Sequence, residues 1–130
     1  MIDKNRVTVL IADDETSMRN LLAAVLKSCG YTNFIHAADG QQAMECLRAA
    51  DKSLRLAFLD IDMPGFSGLE VLQLARETRP SCAYVIVSAH SAIDNVISAM
   101  NRGAAGFVVK PYTPQKIADV LAKFERELGG

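Results

Sequence analysis

Cysteine is scarce in this chain. Cys29, Cys46 and Cys82 are odd in number and widely separated. None belongs to a Cys-x-x-Cys pair or a Cys/His cluster, which argues against a disulfide framework and against a structural zinc site. They read as buried or half-buried thiols. Long hydrophobic runs are missing too: no stretch approaches the roughly 18 apolar residues needed to cross a bilayer. The first six residues, Met-Ile-Asp-Lys-Asn-Arg, lack the apolar segment of a secretory signal. No membrane role is expected, and the reading is cytoplasmic. Charge of one sign is also lacking. The 14 basic and 15 acidic residues give a formal net charge of −1, which offers no footing for direct nucleic-acid contact or an anionic membrane surface. No linker, low-complexity segment or internal repeat interrupts the sequence.

What is present is a core. Half of the 130 residues are hydrophobic and 22% are charged, as in one globular domain. One stretch organises the rest: Leu56-Ala57-Phe58-Leu59-Asp60-Ile61-Asp62-Met63-Pro64-Gly65-Phe66-Ser67-Gly68. Four apolar residues run into a carboxylate, and Pro64, Gly65 and Gly68 then break the chain. A short continuous apolar run bounded by turn residues reads as a strand buried on both faces. Asp60 stands at its carboxyl end, the end where open parallel sheets bind ligands.

The remaining segments alternate around this strand. Residues 7–12 form a β-rich run ending in Asp13-Asp14-Glu15. Residues 16–29 carry Met18, Leu21, Leu22, Val25 and Leu26 at helical spacing, and Gly30 ends that helix. A weaker strand spans 33–38. Asp39 is placed to cap a helix over 41–50, with Ala43, Met44 and Leu47 inward. A third helix, 68–77, turns Leu69, Leu72 and Ala75 to one side, and Arg79-Pro80 follows it. A fourth strand, 83–87, is closed by Ser88-Ala89-His90. A fourth helix, 91–102, carries Ile93, Val96, Ile97 and Met100. The fifth strand, 106–109, is closed by Lys110-Pro111, and the last helix spans 114–128 with proline in its first turn. Five alternations with short connections predict a parallel sheet covered by helices on both sides.

In a parallel sheet the strand ends share one edge. Asp13, Asp14, Asp60, Asp62, Ser88 and Lys110 therefore converge on one crevice. Clustered carboxylates repel one another and call for a cation. Oxygen ligands favour a hard ion, and Mg²⁺ suits one or two carboxylates beside a phosphate. Lysine and serine add a positive charge and a donor. Such a site is suited to a phosphoryl group next to a metal, and carboxylates are nucleophiles that form aspartyl phosphates.

Asp13-Asp14, Asp60 with Met63-Pro64-Gly65, Ser88-Ala89 and Lys110-Pro111 together resemble the receiver domain of two-component response regulators. The resemblance covers nearly the whole chain, and residues 1–130 are read as a single receiver domain. It implies a flavodoxin-like doubly wound α/β fold: a five-stranded parallel sheet in the order 2-1-3-4-5, with five helices on two faces. It implies that Asp60 accepts a phosphoryl group from a sensor histidine kinase or histidine phosphotransfer protein. Asp14 and Asp60 would bind Mg²⁺ directly, Asp13 through water, and Asp62 through its backbone carbonyl. Lys110 would pair with Asp60 and then with the phosphoryl oxygens, and Ser88 would donate to them. Ser88 and Phe107 would switch the face built by the fourth helix, fifth strand and fifth helix toward a downstream output domain or protein. Slow autodephosphorylation would end the signal, so the chain is expected to be a signalling module that catalyses only its own phosphorylation and dephosphorylation. A phosphorylation-dependent homodimer is left open.

Three positions are individual. Asp62 and His90, each two residues beyond a site residue, are expected to tune the lifetime of the phosphorylated form. Phe107 lacks the tyrosine hydroxyl of many relatives. Ala104-Ala105-Gly106 replaces the paired acids typical of receivers joined to winged-helix DNA-binding domains, which disfavours that subclass's dimer. The chain closes soon after its last helix, as a stand-alone receiver or a piece of a longer regulator or hybrid kinase. Two competing functions remain. A haloacid-dehalogenase-type phosphohydrolase would place its Asp-x-Asp pair after the first strand, whereas Asp60-Ile61-Asp62 follows the third. A pseudo-receiver interaction module would lack an acid or the lysine.

Overall fold

The computed structural model describes residues 3–89 and 93–129. A 3-10 turn, Lys4–Arg6, leads into β1 (Thr8–Ala12), α1 (Thr16–Ser28), β2 (Asn33–Ala37), α2 (Gly40–Ala49) and β3 (Leu54–Asp60). Then come α3 (Gly68–Thr78), β4 (Ala83–Ser88), α4 (Ile93–Asn101), β5 (Gly106–Val109) and α5 (Pro114–Gly129). All strand pairs are parallel and the sheet order is β2-β1-β3-β4-β5. This is the flavodoxin-like doubly wound arrangement that the family resemblance implies, on the parallel sheet that the alternation of strands and helices predicts.

Successive strand residues point to opposite faces, and the core divides accordingly. Leu10, Ala57, Leu59 and Ile86 pack on one side with Met44 and Leu47 of α2, Val71 and Leu72 of α3, and Ala99 of α4. Val9, Ile11, Phe58, Val85 and Val108 pack on the other with Leu22 and Leu26 of α1 and with Ile117, Leu121 and Phe124 of α5. Burial on both faces is why the central strands are nearly continuous apolar runs.

The helix starts follow local chemistry. The Asp39 carboxylate accepts the Gln42 amide at 2.8 Å. Ser67 and Glu70 form a reciprocal capping box that starts α3 directly after the turn beyond Asp60.

The start of β3 departs from the sequence reading, and α4 adds a direction that the reading left unassigned. β3 begins at Leu54, not Leu56, because Arg55 interrupts the apolar run without ending the pairing. Leu54 lies opposite Thr8 through a shift of register between Thr8 and Val9. In α4 two residues of the apolar stripe, Ile97 and Met100, turn outward. Ile97 is 50% and Met100 44% exposed, while Ala99 is buried. Among the described residues, no helix is long and apolar enough to cross a membrane.

Candidate functional site

The carboxyl edge of the sheet holds the polar residues that the core excludes. Asp13 follows β1 and is only 6% exposed; Asp60 ends β3 at 3%. Ser88 ends β4, fully buried. Main-chain bonds carry the sheet one step past its strands and fix these positions. The Asp13 amide donates to Ala37 O at 3.0 Å, Ile61 to Val87 O at 3.0 Å and Lys110 to Ser88 O at 2.7 Å. β1 and β3 are neighbours, and the chain order reverses between them. Asp13 and Asp60 thus stand at the topological switch point, where doubly wound sheets form their crevice.

Lys110 joins the two. Its ammonium donates to Asp13 Oδ2 at 2.7 Å and to Asp60 Oδ2 at 3.1 Å. The opposite oxygens are held by amides: Asp13 Oδ1 accepts from Glu15 at 2.9 Å, and Asp60 Oδ1 from Asp62 at 3.3 Å. Burial is the largest influence on Asp60 and raises its carboxyl above the ordinary range. Lys110 works against that rise and Asp13 adds to it. Burial alone would lower the Lys110 ammonium, but the hydrogen bonds and charges of Asp13 and Asp60 together hold it above its usual value. One ammonium thus serves two desolvated carboxylates.

Asp14 is exposed at the rim. Its carboxylate oxygen lies within 4.8 Å of carboxylate oxygens on Asp13 and Glu15. Asp13, Asp14 and Glu15 form an all-oxygen group close enough to share a hard divalent ion, and Asp60 meets it through Lys110 and not as a fourth member of the group. Glu15 is part of this group, although the sequence reading gives it no role in the site. The unbroken run of three acids was the available signal. Tyr112 also borders the site; burial pushes its phenol up to about 12, with Lys110 opposing and Asp13 and Asp60 reinforcing.

Asp62 is exposed, two residues beyond Asp60. Phe107 is half-buried in β5 and packs against the core cluster that includes Ile86 of β4 and Ala99 of α4. His90 lies outside the described residues. The start of α3 is pressed onto the site: Gly68 donates to Ile61 O at 3.1 Å. A Cβ at Gly68 would stand 2.2 Å from Asp60 O, so only glycine lets the helix approach this closely.

An open parallel sheet with paired acids at its switch point, and a lysine just after the last strand between them, defines a doubly wound domain with an acidic crevice at its carboxyl edge. Comparison with known proteins makes the class specific. The family model of the response regulator receiver domain matches residues 9–122. The chain belongs to that family, the receiver domains of two-component systems. It is 33% identical over 119 residues to a response regulator described as NtrX-like from Rickettsia bellii, covering 90% of this chain and 24% of that protein. The chain therefore spans about a quarter of the length of the curated relatives it matches.

Solved structures agree. A CheY-like receiver from Methanospirillum hungatei superposes with a TM-score of 0.83 at 25% identity, covering 95% of this chain and 98% of that one. CheY in the CheX–CheY–BeF3–Mg complex of Borrelia burgdorferi gives 0.86 at 26%, covering 91% and 88%. The response regulator TrrA of Thermotoga maritima, in complex with Mg²⁺ and BeF, gives 0.79 at 29%, covering 90% and 97%.

Proposed function

We propose that residues 1–130 act as one phosphoacceptor receiver domain, in the cytoplasm, with Asp60 as the acceptor. A carboxylate oxygen of Asp60 attacks the phosphorus of a phosphohistidine on a sensor kinase or histidine phosphotransfer protein. The P–N bond breaks, the imidazole leaves with its electron pair and regains a proton, and an aspartyl phosphate remains. Lys110 then turns from the Asp60 carboxylate to the new phosphoryl oxygens, and the buried Ser88 hydroxyl donates to them. Phosphoryl transfer asks chiefly for positioning and charge neutralisation, which these residues supply.

The acidic donor set fits Mg²⁺. Asp14 and Asp60 would hold it directly, Asp13 through water and Asp62 through its carbonyl, with Glu15 at the rim. When bound, the ion offsets the repulsion among these carboxylates and the phosphoryl oxygens. The relatives captured with Mg²⁺ and beryllium fluoride support this choice by similarity.

The loop after Ser88 would close on the phosphoryl group and Phe107 would turn inward, shifting the population of the α4–β5–α5 face toward a form that binds an output partner. Hydrolysis of the acyl phosphate by water regenerates the Asp60 carboxylate. Asp62 and His90 would set its rate. The observation that carries this reading is Lys110 bridging Asp13 and Asp60 within the buried crevice.

Incubation with acetyl phosphate and Mg²⁺, followed by intact-mass measurement, tests it. The expected product carries one phosphoryl group, and the adduct is lost in Asp60→Asn. Turnover of small phosphomonoesters would favour a phosphohydrolase instead, and neither product a purely binding module.

A further inference from the structure

Arg19, one turn into α1, is absent from every role assigned above, yet it reaches the acidic turn. Its Nη1 donates to the main-chain carbonyl of Asp13 at 2.5 Å, and its Nη2 to Thr16 Oγ1 at 3.1 Å. No ion pair among the described residues involves it. Its Nε is buried and has no hydrogen-bond partner. A half-buried guanidinium that leaves one buried N–H unsatisfied gives up part of what its two hydrogen bonds contribute, so its position calls for a further reason.

That reason lies in what it completes. Asp13 is held on every polar atom. Its amide goes to Ala37 O, its carboxylate oxygens accept from Glu15 N and Lys110 Nζ, and its carbonyl accepts from Arg19. The carbonyl is the member that matters for Asp14. It belongs to the Asp13–Asp14 peptide, and fixing that plane fixes ψ of Asp13 and φ of Asp14. Those two angles set the direction in which the Asp14 Cα–Cβ bond leaves the turn, and with it the arc its exposed carboxylate can reach. Without the guanidinium the plane is free to rotate under the repulsion of three adjacent acids.

We infer that Arg19 is a positioning residue: by clamping the Asp13–Asp14 peptide it aims the Asp14 carboxylate at the divalent cation of the phosphorylation site. This rests on the receiver chemistry proposed above. Groups that orient metal ligands in this indirect way are typically worth about 10–100-fold in metal affinity.

The alternative, that Arg19 is merely a nearby positive charge, gives the opposite sign. Removing a cation beside the acids would tighten Mg²⁺ binding. Mg²⁺ affinity of the wild type, Arg19→Lys and Arg19→Gln, measured by calorimetry on the folded chain, separates the two. Thermal unfolding without Mg²⁺ is recorded in parallel. Positioning predicts weaker binding in both variants, by about tenfold in Arg19→Gln and less in Arg19→Lys, which keeps the charge and loses the planar fork. Tighter or unchanged binding in Arg19→Gln overturns the inference, as does a lower melting temperature with unaltered affinity. A wild type that binds no Mg²⁺ overturns the proposed function along with it. A wild type that binds, with unaffected variants, overturns this inference alone.

Discussion

The two edges of the sheet each hold a cation that draws separate segments together, and they use it differently. At the amino edge, Arg79 spreads its guanidinium over main-chain carbonyls where α2 ends and β3 begins. Nε donates to Leu47 O at 3.0 Å, Nη1 to Asp51 O at 2.6 Å, and Nη2 to Ala50 O. The carbonyls left over at a helix end are thereby satisfied by a guanidinium whose hydrogen bonds, among the described residues, all go to main-chain oxygens. At the carboxyl edge, Lys110 sits between two carboxylates that are themselves desolvated. The first arrangement closes a joint. The second holds charge in an unfavourable place and keeps it available. One molecule thus separates stability from chemistry by some five residues of strand, and substitution at each edge should move a different observable.

The largest effect is expected at the joint. Arg79→Met keeps the aliphatic stem but leaves several carbonyls without a donor, and should cost roughly 2–4 kcal/mol in urea unfolding. Acetyl phosphate labelling of the folded fraction should be unchanged. Loss of labelling there would mean that the two edges are coupled and the separation is false. Lys110→Met should cost about 2–3 kcal/mol near neutral pH, because two buried carboxylates lose their shared cation. Unlike the first, it should slow labelling severely. Much of its lost stability should return on adding Mg²⁺ or on acidification, neither of which should rescue Arg79→Met. The Lys110 ammonium is held above its usual value, so its own contribution is complete below the unfolded value of 10.5 and fades only as pH rises through the folded one.

The same contrast decides what could be read from the sequence. Strand ends are legible because short apolar runs stop at polar residues, so Asp13, Asp60, Ser88 and Lys110 could be placed on one edge before any coordinates. Side chains that bind main-chain carbonyls leave no such mark. Arg79 looks like a helix terminator before Pro80, and Arg19 like one more polar residue on α1. Glu15 was visible, but acids at a helix start have a sufficient local explanation. The outward turn of Ile97 and Met100 was not legible, since helical spacing gives a stripe but not its direction. That depends on how much of α4 its neighbours cover.

Asp60→Asn tests whether charge at the carboxyl edge is held at a loss. Burial raises the Asp60 carboxyl above 3.8 in the native state. The folded chain therefore binds this proton at higher pH than the unfolded one, and stability from this group falls as pH rises through that window. A neutral asparagine escapes the penalty. At pH 7 the variant should exceed the wild type by about 1 kcal/mol, and the gain should vanish below the ordinary carboxylate value. A variant less stable than the wild type at neutral pH would mean that the Lys110 pair outweighs burial, and that the carboxyl edge is stabilising after all.

The smallest effect compares two glycines of positive φ, one at each edge. Gly30 (φ +103°) follows α1 at the amino edge, where an added Cβ would meet Lys4 Cδ at 3.0 Å. Lys4 there donates to Cys29 O at 2.8 Å and pairs with Glu125 of α5 at 3.1 Å. Gly65 (φ +76°) lies in the turn beyond Asp60, where an added Cβ meets nothing within 4 Å. Both alanine variants carry the left-handed backbone strain of about 1 kcal/mol. Gly30→Ala should add a few tenths more, because the Lys4 stem must give way and its contacts with it. Equal losses in urea would show that Lys4 yields freely and that the amino edge is less tightly closed than its hydrogen bonds suggest.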